Sequence, residues 1–316
     1  MKDGIGGYLQ LDLGTSEPYH SNVVSVNSGR NALEYILKTH HFSKIYVPLY
    51  MCEVLLEPIN RLNLAYEFYS VDEQLKPILE AQTNSSIAVL YINYFGVRSS
   101  DVEELSTIHT HLIVDNSQAF FDKPISSVPT FYSPRKFFGL PDGGYVSTSE
   151  RLEEPLDLDT SVDRSIHLLR RIESGAESGY GDFVRNDNAL TGLPLKQMSK
   201  LTEALLGNID YEKIKTIRLQ NFNFLHEHLG GQNKLTLEPS ALSGPMVYPF
   251  LIKDGKILKG KLIRERIFVA TYWSNMRSYL PENSLEEGLI NDLVPLPIDQ
   301  RISIADLKQI LHIINE

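Results

Sequence analysis

Apolar positions along the chain fall into short unbroken runs, separated by stretches with helical spacing. "KIYVP" at 44–48, "AYEFYSV" at 65–71, "SIAVLYI" at 86–92, "HLIVDNS" at 111–117, "PTFYS" at 129–133 and "GYVST" at 144–148 each predict a strand, being short, apolar or β-branched, and bounded by turn residues. Between them, "GRNALEYILKTH" at 29–40 sets Ala32, Leu33, Ile36 and Leu37 on one helical face. "SSDVEEL" at 99–105 predicts a second helix, capped by Ser100 with Glu103 three residues on. Strands alternating with helices predict an α/β fold: a mostly parallel central sheet flanked by helices, with its site at the carboxyl ends of the strands.

After residue 150 the pattern turns helical, through "SIHLLRRIES" and "LKQMSKLTEALLG" to a long amphipathic helix from Tyr211 to Leu229. That helix directs Ile214, Ile217, Leu225 and Leu229 toward a core. Beyond it, "VYPFLI" at 247–252 and "RIFVATYW" at 266–273 read as strands around a helix near 257–265. The last helix is capped by Ser303 with Asp306 three residues on, and carries a Leu307, Ile310, Leu311 and Ile314 stripe. The expected organisation is a large domain over 1–207, then a linking helix and a small α+β C-terminal domain over 208–316. No internal repeat interrupts it.

Charge narrows the function classes. The 316 residues carry a net charge of −10, from 30 basic against 40 acidic residues, and no basic stripe that would neutralise a nucleic-acid backbone. Neither nucleic acid nor membrane is expected as a partner, since no apolar run approaches the roughly 20 residues that span a bilayer. Residues 1–20 lack an apolar signal core, so a cytoplasmic location is expected. Cys52 is the single cysteine, which allows no internal disulfide and no cysteine metal site. His40 and His41 are adjacent and share no helix face, so no metal is expected there either.

Three segments could carry chemistry. "VNSGRNAL" at 26–33 runs from a strand end through Ser28 and Gly29 into a helix start, where free amides favour an anion such as phosphate; an ordinary turn before a helix has the same look. "LIVDNSQAFF" at 112–121 ends an apolar strand on Asp115, with Gln118 three residues on. That carboxylate reads as a helix cap or ion-pair member, or as the partner of a protonated ligand nitrogen. Lys136 lies in "TFYSPRKFFGLPDGGYVST", among aromatic residues that would limit water around its amine and favour the neutral, nucleophilic form; the plain alternative is a solvated lysine beside Arg135. A phosphate seat, an acid and an amine in that order are the parts that hold pyridoxal 5'-phosphate.

With these residues in place, the sequence resembles the DegT/DnrJ/EryC1/StrS sugar aminotransferase family of fold type I pyridoxal phosphate enzymes, over most of its length. "NSGRNAL" is similar to the family's serine-glycine phosphate segment, "INYFGVRSSDVEEL" to its aromatic-glycine turn, and "IVDNSQAF" to its aspartate and glutamine segment. "SPRKFFGLPDGGYV" is similar to the lysine segment with its acidic-diglycine turn, and "LVPLPIDQRISIADLKQIL" to the closing stretch and last helix. The resemblance implies that Lys136 binds the cofactor covalently and moves the catalytic proton. It also implies Asp115 at the pyridine nitrogen, Gln118 near the ring's phenolic oxygen, and Gly29, Arg30, Asn31 and Ser133 around the phosphate. Cys52 stands where the family commonly has a ring-stacking aromatic, leaving Tyr50 or Tyr94 to take that part. Asn93 replaces a common histidine, and Leu195 and Lys196 stand where relatives carry an asparagine and arginine that reach the partner subunit's cofactor. The front of the chain is shorter than the family's usual nucleotide-sugar segment.

The implied activity is a ping-pong aminotransferase, moving an amino group from an amino acid donor to a keto acceptor such as a nucleotide-linked keto sugar, in a homodimer. Dehydration or elimination on the same cofactor, and a catalytically idle binding protein on the same fold, are the alternatives.

Overall fold

The computed structural model describes residues 5–79 and 86–316. Its centre is an eight-stranded sheet built from β1 (Val24–Val26), β2 (Lys44–Pro48), β3 (Ala65–Val71), β4 (Pro77–Ile78), β5 (Ile87–Ile92), β6 (Leu112–Asp115), β7 (Thr130–Tyr132) and β8 (Gly144–Ser147), in the order β1-β8-β7-β6-β5-β2-β3-β4. The interior ladders from β3 through β2, β5 and β6 to β7 are parallel. β8 is antiparallel to both β7 and β1, and β4 closes the other edge antiparallel to β3. β5 and β6 are buried almost end to end, which is why they read as continuous apolar runs rather than as alternating ones.

Helix α1 (Gly29–His40) buries the predicted Ala32, Leu33, Ile36 and Leu37, and also Glu34 and Tyr35 behind them. The buried Glu34 is paired with Lys38 at 2.9 Å and with Arg61 at 2.7 Å, the latter at the end of α2 (Leu56–Arg61). Helix α3 (Ser99–Ile108) starts two residues ahead of expectation, with Arg98 at the cap position and no side-chain cap. Asn93 Oδ1 accepts from Arg98 N at 3.1 Å and the Ser99 hydroxyl is drawn to Asp122, while Ser100 lies inside the first turn instead of at the cap.

A helical hairpin follows the sheet, α4 (Ile166–Ser174) and α5 (Ala176–Ala189), then α6 (Lys200–Leu206) and the long α7 (Tyr211–Leu229). On α7, Leu225 and Leu229 are buried as expected, but Ile214 and Ile217 are half-buried and the centre of the stripe is Arg218 and Phe222. Past α7, β9 (Val247–Leu251) pairs antiparallel with β10 (Leu293–Pro297), with α8 (Gly255–Arg264) and α9 (Leu285–Asp292) between them. The strand expected at 266–273 is absent: Leu293–Pro297 takes the ladder position beside β9, and Arg266 and Trp273 hold positive φ at the segment's two ends. The apolar spacing there belongs to a stretch laid along a cleft. The closing helix α10 (Ile304–Asn315) has the predicted capping box of Ser303 and Asp306; Leu307, Ile310, Leu311 and Ile313 are buried, while Ile314 is half-buried.

Candidate active site

The first residues of α1 form a small polar cradle at the edge of the sheet. Ser28, extended at φ −161° and ψ 165°, caps the helix by accepting from Asn31 N at 3.2 Å. Space around Gly29 is tight: a Cβ there would lie 3.3 Å from Ser133 Cβ and 3.6 Å from the hydroxyl oxygens of both Ser117 and Ser133. The helix start, its free amides and two hydroxyls therefore meet at one point, the arrangement that receives an anion. Gly144, which opens β8, lies against the same point, and a Cβ there would sit 2.6 Å from Ser28 C. The diglycine turn is thus a requirement of close backbone approach. Asp142 before it is fully buried and accepts from Ser199 N at 3.0 Å, tying the turn to the start of α6.

The side chains of Arg30 and Asn31 turn elsewhere. Arg30 Nη1 pairs with Glu57 at 2.6 Å. Asn31 Nδ2 donates to Glu34 and to Leu193 O, both at 3.2 Å. Asn27 Nδ2 likewise holds Pro194 O at 3.0 Å, so the segment carrying Leu195 and Lys196 is strapped along β1 of its own chain. Arg30 can offer an anion its backbone amide, whereas the Asn31 amide is already taken by the Ser28 hydroxyl.

Asp115 ends β6 and is buried, with Oδ1 accepting from Ser117 N at 2.7 Å. Burial pushes its carboxyl up, against the opposing pull of the Lys136 charge and the Ser117 hydrogen bonds. Gln118 is buried too. Its Oε1 accepts from Phe95 N at 2.9 Å, which fixes the amide so that Nε2 faces the other way, where it has no partner. Phe95 and Gly96 make that contact from left-handed conformations, φ 59° and 72°, and a Cβ on Gly96 would come within 2.8 Å of Gln118 O. Asn116 Oδ1 is a second buried atom in this loop with no partner. Asn93 is held between Asp122 at 2.8 Å and Ser99 at 3.2 Å.

Lys136 follows β7 on a single 3-10 turn, Pro134–Lys136, and its N–H is held by Ser133 O at 3.1 Å. Its side chain is exposed, and among the described residues its amine makes no ion pair or hydrogen bond. The aromatic neighbours do not shield it: Phe137 and Phe138 point inward and pack with Phe120, Phe121 and Tyr211. The greasy sequence context of the lysine is core, with the amine on the opposite side of the turn. It reaches into a cleft of about 300 Å³, lined also by Arg218, Met246, Phe268, Tyr272 and Asp299.

Tyr50 is packed between Tyr94, stacked at 5.7 Å, and Trp273, edge-on at 4.5 Å, and its hydroxyl has no partner. Burial drives that phenol up. The half-exposed Cys52 sits within electrostatic reach of Lys136, Asp115 and Arg30, while burial of its sulfur raises its thiol. Sequence reading missed Arg218 and Asp299 as cleft residues. An arginine in an amphipathic helix reads as part of the solvated face, and nothing in the local pattern marks this one as buried.

These residues fit a pyridoxal phosphate. The α1 cradle suits a phosphate, the buried Asp115 lacks a full counter-charge, Gln118 Nε2 is an unused donor, and Lys136 offers a free amine nearby. No group of three or more His, Cys, Asp or Glu among the described residues is placed to hold a metal, and no described helix is long and apolar enough to cross a membrane.

The chain shares its fold with solved sugar aminotransferases. The sugar aminotransferase CalS13 from Micromonospora echinospora is similar over 92% of this chain and 86% of its own, with a TM-score of 0.65 and 16% identity. DesV from S. venezuelae, solved with a ketimine intermediate, is similar over 92% and 83%, with a TM-score of 0.62 and 18% identity. The E coli GDP-4-keto-6-deoxy-D-mannose-3-dehydratase, solved with hydrated PLP, matches 92% and 87%, with a TM-score of 0.62 and 15% identity. No family model and no curated protein matches the sequence.

Proposed function

We propose that the chain is a pyridoxal phosphate-dependent aminotransferase, acting between an amino acid donor and a keto acceptor of the nucleotide-linked keto sugar class. The observation that supports this most is the meeting of Lys136, Asp115 and the Gly29 helix start beyond the carboxyl ends of β7, β6 and β1, though they come from separate strands and turns. The acceptor class rests on the sugar aminotransferases that share the fold.

When bound, the cofactor supplies an electron sink and carries the amino group from one substrate to the other. The Gly29 and Arg30 amides, with the Ser117 and Ser133 hydroxyls, hold its phosphate. Asp115 would hold the ring nitrogen in its protonated form and would gain there the counter-charge a buried carboxylate needs. Gln118 Nε2 donates to the ring oxygen. Lys136 Nζ would hold the cofactor in the resting protein and would move the proton at the substrate α-carbon, taking it from the donor and returning one to the acceptor. Its exposed position on the cleft lets the two substrates exchange.

A dehydratase shares the fold, and dehydration is the second reading. The retained Lys136 favours transfer, because relatives that dehydrate commonly carry histidine there. Lys136→Ala is expected to abolish turnover and the visible absorbance of the lysine-bound cofactor. Normal transamination by that variant would rule the assignment out, and a single half-turnover that released no keto acid from the donor would favour dehydration.

The proposal includes a homodimer. Ile166, Leu169 and Ile172 on α4, with Tyr180, Phe183 and Val184 on α5, leave an apolar face uncovered beside the Lys136 turn, and a second copy would cover it.

A further inference from the structure

The diglycine turn lies between the helix start of α1 and the turn that carries Lys136. A Cβ on Gly143, which holds φ +120°, would come 3.1 Å from Met198 Cε, 3.3 Å from Thr202 Cγ2 and 3.5 Å from Pro134 Cγ, the first residue of the Lys136 turn. Gly144 is in backbone contact with Ser28 and Gly29, and a Cβ there would sit 3.0 Å from Gly29 N. Gly143 N donates to Asn27 O at 2.8 Å, just ahead of the same helix start. Ser28 and Gly29 therefore follow any shift of this turn.

Asp142 fixes where the turn sits. Its carboxylate is fully buried and accepts from three donors at the start of α6: Ser199 N at 3.0 Å, Ser199 Oγ at 2.8 Å, and Thr202 Oγ1. Ser161 Oγ lies 2.6 Å from Ser199 Oγ and backs that contact. Arg164 Nη2 is 3.8 Å away and is already bound to Asp159 at 2.7 Å, so hydrogen bonds more than an ion pair stabilise the buried charge. The segment that supplies them also holds the other side of the cradle. Asn27 N donates to Lys196 O at 3.0 Å, and Asn27 Oδ1 accepts from Lys196 N at 3.2 Å. One stretch, 194–202, thus grips the chain just before the α1 start and just before the diglycine turn.

We propose that Asp142 is the positioning residue of the phosphate seat: its tether to Ser199 and Thr202 presses the diglycine turn onto Ser28 and Gly29, and so sets the spacing between the Gly29 amide and the Ser117 and Ser133 hydroxyls. The inference rests on the pyridoxal phosphate reading of the site. Asp142 acts from behind the seat, through Gly144. An amide cannot take its place, because in either orientation its NH2 would face a group that now donates.

The test compares pyridoxal phosphate with pyridoxal, which lacks only the phosphate. Each is titrated into the full-length, cofactor-free protein and read from the absorbance of the lysine-bound form. The parent should prefer the phosphorylated ligand at least a hundredfold. Asp142→Asn should cut that preference at least tenfold and leave the affinity for pyridoxal within twofold, whereas general loosening of the fold would weaken both ligands alike. Thr202→Val removes one hydroxyl donor at nearly constant volume, decides the matter if Asp142→Asn does not fold, and should cut the preference at least threefold. A parent without the preference, an unaltered preference in either folded variant, or equal weakening of both ligands overturns the role of Asp142. The two proposals fail differently: a parent that forms no lysine-bound absorbance with either ligand sinks the aminotransferase reading, whereas normal absorbance with an unaltered preference in the variants sinks only the positioning role.

Discussion

Burial sets the charge of His20. Its ring lies between Tyr19, Phe120 and Tyr132, with Nε2 2.6 Å from Phe120 O, and desolvation pushes its pKa down from 6.5 to about 4. The folded protein therefore keeps His20 neutral where the unfolded chain binds a proton. Stability from this group is fully present above pH 6.5 and is lost as pH falls toward about 4, a difference on the order of 3 kcal/mol. Replacing it by His20→Gln should flatten the fall of unfolding free energy between those two pH values, measured in urea. An unchanged slope would mean that other groups control acid stability. Individual residues were unevenly legible before folding. Asp115, Gln118 and Lys136 could be singled out because their chemistry is rare at strand ends, but the setting of Lys136 could not. Side chains on a 3-10 turn diverge within one residue, so Phe137 enters the core while Lys136 faces solvent.

Among elements, the meeting of β8 with α1 matters most to the site. Gly144 approaches Ser28 so closely that any side chain must push the strand away from the helix start. Gly144→Ala is expected to destabilise the fold by about 1–3 kcal/mol and to weaken pyridoxal phosphate binding at least tenfold, read from urea melts and a cofactor titration. Wild-type affinity in a folded variant would remove the α1 cradle as the phosphate seat. The parallel strands were legible because each is a compact apolar run. Helix α5 was not, since Gly179 and Gly181 lower its helical signal; Gly179 is there because a Cβ would come within 2.9 Å of His167 O on α4. The 266–273 stretch misled for the opposite reason, as its apolar alternation serves a cleft wall and the core behind it, with Phe268 exposed and Trp273 buried.

At the level of the whole molecule, the uncovered α4–α5 face and the net charge of −10 pull in different directions. Like charge keeps copies apart in solution, whereas an apolar face on two adjacent helices favours closing on another copy. If the face is the dimer contact, Ile172→Glu combined with Tyr180→Glu should halve the mass seen by light scattering without altering the far-ultraviolet circular dichroism. A wild-type protein that is already monomeric at micromolar concentration would defeat that assignment.

The cleft draws Lys136, Arg218, Met246, Phe268 and Asp299 from positions far apart along the chain. Contacts of such long range close late in folding, after local helices and hairpins have formed. A nascent chain can thus complete its central sheet and phosphate cradle while still lacking the far wall of the cleft. A chain cut short after α7 would keep the polar start of α1 but lack the cleft wall that Met246, Phe268 and Asp299 supply.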